Sequence, residues 1–325
     1  MASDAASPLP IPVAGIHDES GIGHMARTFW ANGMTLRRAM KWLHVDVHEA
    51  LRFADARRIA WSIQASPKWL IDRLVLKQPG HSDGRYRLGG QWFRGNPSCR
   101  GRTARLCPMC VREDRYCRVD WLVAAMVGCT RHGAPLLEGC LHCGRRIAWD
   151  RPAMDVCVCG RLLLASSSGT RLGDRLTAWS RWVERRLGFA VSAEAALAAQ
   201  VASVPRFLDE LSLDGAIRLV EAFGILRVVA DPPRAAARAA CLQQGRAGLI
   251  ERGLERLEEI DGSPERVLAR AEFIHVPALE RLRATGVTQA DSKCAALFLR
   301  YLRAPASEAA DRRGRHGRGQ LFLFD

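Results

Sequence analysis

Eight side chains between residues 107 and 159 fall into four close pairs at metal-ligand spacing. They are Cys107-Pro-Met-Cys110, Cys129-Thr-Arg-His132, Cys140-Leu-His-Cys143 and Cys157-Val-Cys159. Thiolate and imidazole are ligands that zinc prefers, and four such pairs complete two tetrahedral sites. One or two residues between ligands let a single tight turn present both side chains to one ion. The reading assigns Cys107, Cys110, Cys129 and His132 to a first Zn2+ and Cys140, Cys143, Cys157 and Cys159 to a second; interleaved pairings use the same ligands. Neither set leaves a position open for water or substrate, so both sites read as structural.

Other chemistry is hard to find. His44 and His48 stand one helical turn apart, but a catalytic zinc helix needs Glu directly after the first His, and Val45 is there. Gly21-Ile-Gly23 lacks the third glycine of a dinucleotide loop. The four lysines, at 41, 68, 77 and 293, never follow a glycine ahead of Ser or Thr, which excludes a phosphate-binding P-loop. No cluster of carboxylates suggests a metal-dependent nuclease. An enzyme is not expected.

The formal charge of +14 points to an acidic partner, most often nucleic acid. Seven thiolates around two zinc ions would supply about −3, so many arginines near the cysteines answer sulfur. The basic surface is more credible over residues 66–105, where arginines alternate with Trp69, Tyr86, Trp92 and Phe93. Arg85, Arg87, Arg94, Arg100 and Arg102 are the candidate phosphate contacts.

The elements that must hold these groups read as mainly α-helical, with small zinc-ribbon or knuckle β elements. Residues 1–170 form a helical part with two structural zinc sites, residues 171–303 a helical domain, and residues 304–325 a disordered basic tail. Ser20 can cap a helix that breaks at Asn32-Gly33, and Thr35 can cap a second, making a helix-turn-helix candidate that any αα-hairpin would imitate. Helices follow over 47–64 and 67–77, then an irregular loop over 80–101. A second helix-turn-helix candidate spans 277–302, its long apolar face arguing for packing.

The chain ends in Gln320-Leu321-Phe322-Leu323-Phe324-Asp325, which is apolar after a polar linker. Exposed aromatics on a tail suggest docking on this protein or in a partner groove. Gln320, Leu321, Leu323 and Phe324 follow the order of the peptide that binds the bacterial sliding clamp. The N-terminus has no basic stretch followed by an apolar run, and no window is apolar enough to span a membrane. A cytoplasmic, nucleoid-associated protein is expected, and clustered cysteines there mean metal more often than disulfides.

Cys107, Pro108, Cys110, Asp114, Tyr116, Trp121, Cys129, His132, Gly133, Leu136, Cys140, Cys143 and Gly144 together resemble the core of the TniQ/TnsD family of transposition target-selection proteins. The Pro-rich opening, Glu19-Ser20 and Asn32-Gly33 resemble the family's start, and the resemblance runs over residues 8–165. After Glu19-Ser20 the chain departs from the family, with Gly-Ile-Gly-His where Leu-x-Ser-Trp is usual. The resemblance implies a non-enzymatic accessory protein that marks the target site through DNA, an RNA-guided effector or another targeting complex. It further implies recruitment of an AAA+ transposition regulator and a transposase. A homodimer is a further expectation. The alternative is a zinc-ribbon helix-turn-helix transcription regulator.

Overall fold

The computed structural model describes residues 7–45, 51–78, 84–94, 103–163, 171–189, 204–225, 233–262 and 274–303. The chain divides into two compact units, Met1–Ala198 and Ala199–Asp325. It is mainly α-helical with small antiparallel strand pairs.

Four short helices open the first unit: α1 (Gly21–Ala31), α2 (Leu36–Trp42), α3 (Phe53–Ser62) and α4 (Pro67–Arg73). They form two helix-turn-helix pairs with the same four-residue turn, 32–35 and 63–66. The second residue of each turn has positive φ, Gly33 (69°) or Gln64 (53°). Each second helix starts at a hydroxyl cap: Thr35 accepts from Arg38 N, and Ser66 accepts from Trp69 N. The sequence reading found the first pair but ran the second as a helix over 47–64 and another over 67–77. Pro67 in the first turn marked the start of the second of these helices in sequence, and the structure adds that the two close into a pair around the Ser66 cap.

The Pro-rich opening ties the two turns together. Asn32 Oδ1 accepts from Ile11 N (3.0 Å) and its Nδ2 donates to Ile11 O (2.8 Å). Ser62 O accepts from Leu9 N (2.8 Å), and Gln64 Nε2 donates to Leu9 O (2.6 Å). In α1, the family-departing glycines have a steric reason. A Cβ on Gly21 would stand 2.7 Å from Leu74, and one on Gly23 would stand 2.7 Å from the Ser20 hydroxyl that caps the helix. His24, buried, meets the edge of Trp69 at 4.8 Å.

Residues 80–101 were expected to form an irregular loop. Where described, they form a hairpin instead. β1 (Leu76–Lys77), β2 (Arg85–Leu88) and β3 (Gln91–Arg94) make a three-stranded antiparallel sheet. Gly89 and Gly90, at φ 56° and 78°, supply the two positive-φ positions of a tight hairpin turn. Leu88 and Phe93 enter the core from one face.

The cysteine region begins with α5 (Pro108–Asp114), followed by a 3-10 turn (Asp120–Leu122) and the strand pair β4 (Gly128–Cys129) and β5 (Ala134–Pro135). Arg105 is buried inside it and donates to the carbonyls of Trp121, Val123, Ala124 and Met126. One side chain thus satisfies four carbonyls of an irregular segment that would be costly to bury unpaired. Arg118 is buried against Asp18, Asp120 and Glu184. Burial beside Glu184 pushes the Asp120 carboxyl up to about 7 despite Arg118.

Helix α6 (Asp174–Leu187) lies within the first unit, so the division at Ala198 falls later than the boundary read after residue 170. The reason is a hydrogen bond and an ion pair: Trp179 Nε1 donates to Ala125 O (2.9 Å), and Glu184 pairs with Arg118.

The second unit holds a 3-10 turn (Arg206–Glu210), α7 (Leu213–Gly224), α8 (Pro233–Gly262, interrupted at Gly245), α9 (Val276–Thr285) and α10 (Gln289–Arg303). Helices α7 and α8 approach closely at glycines. A Cβ on Gly224 would lie 2.0 Å from Leu249 O, and one on Gly253 would lie 2.1 Å from Val220 O. Asp291 on α10 is fully buried and accepts from Ser212 N and Oγ, Val287 N and Thr288 N. The α9–α10 pair, the second helix-turn-helix candidate, buries Leu279, Leu282, Cys294, Ala295, Phe298 and Leu299.

Candidate metal centres and a basic hairpin face

The structure gathers the eight predicted ligands into two clusters with the assigned pairing. Cys107, Cys110, Cys129 and His132 form one, and Cys140, Cys143, Cys157 and Cys159 the other, with ligand atoms of each within 4.8 Å of one another. Tetrahedral coordination at about 2.3 Å per sulfur puts neighbouring sulfurs about 3.8 Å apart. Cys140 and Cys159 sulfurs are 3.9 Å apart, and those of Cys143 and Cys157 are 3.8 Å apart. In the first cluster, His132 Nδ1 stands 3.5, 3.2 and 3.6 Å from the sulfurs of Cys107, Cys110 and Cys129. These spacings are too long for disulfides and right for four atoms around one ion.

Local structure explains how short sequences converge so closely. Cys107 precedes α5, Pro108 starts the helix, and Cys110 follows within its first turn. The other three pairs are knuckles closed by a glycine of positive φ: Gly133 (59°), Gly144 (69°) and Gly160 (81°). In each, the glycine N–H returns to the first ligand's carbonyl, Cys129, Cys140 or Cys157. Cys157-Val-Cys159 is one residue shorter than the others, yet Gly160 N donates to Cys157 O at 2.9 Å and closes the same kind of turn.

Crowding pushes neighbouring sulfurs apart in proton affinity. Hydrogen bonding from Cys110 and then Cys129 draws Cys107 down to about 3, while Cys110 is driven far up by hydrogen bonding to Cys107. In the second cluster, backbone hydrogen bonding at Cys143 brings Cys140 down to about 7, and burial pushes Cys157 up to about 12. One sulfur takes the charge and another holds its proton. A divalent ion would let all the sulfurs ionise, which is how metal binding couples to proton release. The donor sets, three sulfurs with one nitrogen and four sulfurs, therefore fit a soft tetrahedral metal.

Sequence reasoning missed the support around the first cluster. His132 Nε2 lies 3.2 Å from Glu113 Oε1, leaving Nδ1 to face the sulfurs. Arg131 pairs with Glu113 (2.9 Å) and Asp114 (2.5 Å) and holds that carboxylate in place. A carboxylate on the outer nitrogen of a ligating histidine fixes its tautomer and raises its basicity. The signal was present in sequence, since Glu113 lies three residues beyond Cys110, but only the fold brings His132 to it.

The predicted phosphate contacts meet different fates. In the hairpin register Arg85 faces Arg94 and Arg87 faces Trp92, so these four share one face while Leu88 and Phe93 occupy the other. Arg87 also reaches Asp72 at 3.3 Å. Arg100 and Arg102 lie outside the described residues, as do Gln320, Leu321, Leu323 and Phe324 and the tail expected to be disordered. The wider basic stretch over 66–105 is thinner than its composition suggests. Arg73 is buried over the rings of Trp69 (4.6 Å) and Phe189 (4.9 Å), and Arg105 is interior.

No helix among the described residues is long and apolar enough to cross a membrane. No curated protein matches the chain. The family model described as TniQ matches residues 10–136, which take in both helix-turn-helix pairs, the hairpin and the first cluster and end ahead of Cys140.

Proposed function

We propose that this chain, whose residues 10–136 match the TniQ family model, is a zinc-stabilised adaptor that binds target DNA and recruits an AAA+ regulator and a transposase. The observation that carries the DNA reading is the hairpin face. Arginines 85 and 94 stand directly opposite each other, an arrangement that costs stability by like-charge repulsion. Arg87 and Trp92 extend the same face. A phosphate backbone offsets the repulsion, and the ring offers a flat apolar surface beside it.

The two metals act as scaffold in this reading. Zinc fits both donor sets, and each ion contributes folding free energy on the order of 10 kcal/mol. The protein works as an adaptor rather than as a catalyst. The transcription-regulator alternative relies on α10 as a recognition helix. It finds little support, because α10 commits Asp291 and its apolar face to α7 and α9.

The test is DNA affinity across a salt series for the wild type and an Arg85→Ala/Arg87→Ala/Arg94→Ala variant. Each lost phosphate contact lowers the slope of log affinity against log salt by about 0.9, so the variant loses close to 3. An unchanged slope removes the hairpin from the DNA interface. Two equivalents of zinc by elemental analysis, and loss of helicity on chelation, are the expected results for the scaffold.

A further inference from the structure

The two clusters differ in the ligand that each turns toward solvent. In the first, Cys107, Cys110 and Cys129 are at most 2 % exposed, and the outermost ligand is the half-buried His132. Its ring carries no sulfur, and Glu113 stands 3.2 Å from its outer nitrogen. In the second, Cys140 and Cys157 are as deeply buried, but Cys159 is exposed and Cys143 half-buried. An oxidant in solution is thus kept from the sulfurs of the first cluster and meets Cys159 directly at the second. Susceptibility to oxidation follows thiolate character and exposure.

The cluster also gives Cys159 a reaction partner. The Cys140 sulfur lies 3.9 Å away and belongs to the other knuckle. A disulfide holds its sulfurs about 2.0 Å apart, so closing the bond takes a movement of about 2 Å shared between two turns. Neither turn is anchored in a helix, and each is closed by its own glycine N–H, Gly144 to Cys140 O and Gly160 to Cys157 O. Metal ligation keeps both sulfurs as thiolates, the form that attacks an oxidant.

We infer that the second cluster is a peroxide-sensitive site, at which Cys159 is oxidised, Cys140 closes on it as a disulfide, and the metal is released. The inference rests on the zinc-scaffold part of the adaptor reading and goes beyond it. The Cys159 thiolate attacks one oxygen of hydrogen peroxide, the O–O bond breaks and hydroxide leaves, giving the sulfenic acid. The Cys140 thiolate then attacks the Cys159 sulfur, the S–O bond breaks and a second hydroxide leaves. The two sulfurs give up two electrons, and the peroxide takes them. Only Cys143 and Cys157 then remain as ligands, too few for a closed tetrahedral site. The new bond joins the same two knuckles that the ion joined, so reduction by a thiol restores the four ligands and the site reloads.

The test exposes the full chain to hydrogen peroxide beside a chromogenic chelator too weak to take either metal unaided. Of two equivalents at the start, one should leave at least about 10-fold faster than the other. Peptide mapping at half release should find Cys140 joined to Cys159, with Cys107, Cys110 and Cys129 still reduced. Dithiothreitol and added zinc should then restore the lost equivalent. Reciprocal variants exchange the outer ligands: Cys159→His should hold the second metal through the treatment, and His132→Cys should make the first metal peroxide-labile. Where Cys159→His fails to load, the wild-type rates and map decide. Release of both equivalents at one rate, no release, or first oxidation at Cys107, Cys110 or Cys129 overturns the redox site and leaves the zinc scaffold standing. A fully reduced chain that holds fewer than two equivalents at the start overturns the scaffold and the redox site together.

Discussion

The two candidate metal clusters of the first unit are both built from closely spaced cysteine pairs but differ in what surrounds them. Around the first, Cys107, Cys110 and Cys129 are buried, α5 supplies one ligand, and Arg131 and Glu113 brace the histidine from outside. Next to it runs the segment whose carbonyls Arg105 satisfies. Around the second, Cys159 is exposed and Cys143 half-buried, and the loops are braced mainly by their own backbone. The first cluster is built into the core; the second lies nearer the surface. The difference teaches that similar cysteine-rich turns can be set into a core or left near the surface, and that burial separates the two.

That contrast can be broken by experiment, and the largest effect belongs to the first cluster. Cys110→Ser removes one metal and with it most of the cooperative unfolding transition of the first unit, a loss on the order of 10 kcal/mol of metal-linked stability. Calorimetry checks this, and a surviving transition of normal enthalpy would show that the core does not depend on that ion. Cys159→Ser should also lose one metal, while the first-unit transition persists with Tm lowered by a few degrees. If the two variants melt alike, the distinction between a core cluster and a surface cluster is wrong.

A smaller effect sharpens the comparison. Glu113→Gln removes the carboxylate from His132 and should lower affinity at the first cluster by about 10- to 100-fold, leaving the second unchanged. The sign with pH follows from the ligands. Protons compete with the metal, so it leaves as pH falls, and a weaker site gives it up at a higher pH. Competition with a chromogenic chelator across an acid series should show that upward displacement for one equivalent of metal only. The smallest effect is Gly144→Ala. No atom lies within 4 Å of the added Cβ, so the cost is the left-handed backbone alone, roughly 1 kcal/mol. It should fall on the second cluster's metal affinity and spare the first.

The ligands were legible in sequence because metal spacing is local: two ligands on one turn leave their mark within four residues. Helix starts were legible for the same reason, as Ser20 and Thr35 each cap the element expected of them. The hairpin was not read, although Gly89-Gly90 between two four-residue runs carried the signal. Arginine and aromatic content hid its alternation, which becomes plain only when Leu88 and Phe93 turn inward together. Buried arginines were invisible for a different reason. Arg73 and Arg105 look like Arg85 and Arg94 on paper, and only the carbonyls and rings gathered around them make the first two structural.

By itself, then, the sequence determined which atoms could bind metal, where helices begin and which family the N-terminal part resembles. These depend on residue identity over spans of a few positions, and on little else. Tertiary structure alone decided which four candidate ligands gather into one cluster, which arginines face outward, and which cluster lies in the core rather than near the surface. Those outcomes depend on contacts between residues far apart in the chain: Asp18 with Arg118, His132 with Glu113, Leu9 and Ile11 with two separate turns. Composition cannot encode such contacts, because the same side chain gains or loses its function according to what the fold sets beside it.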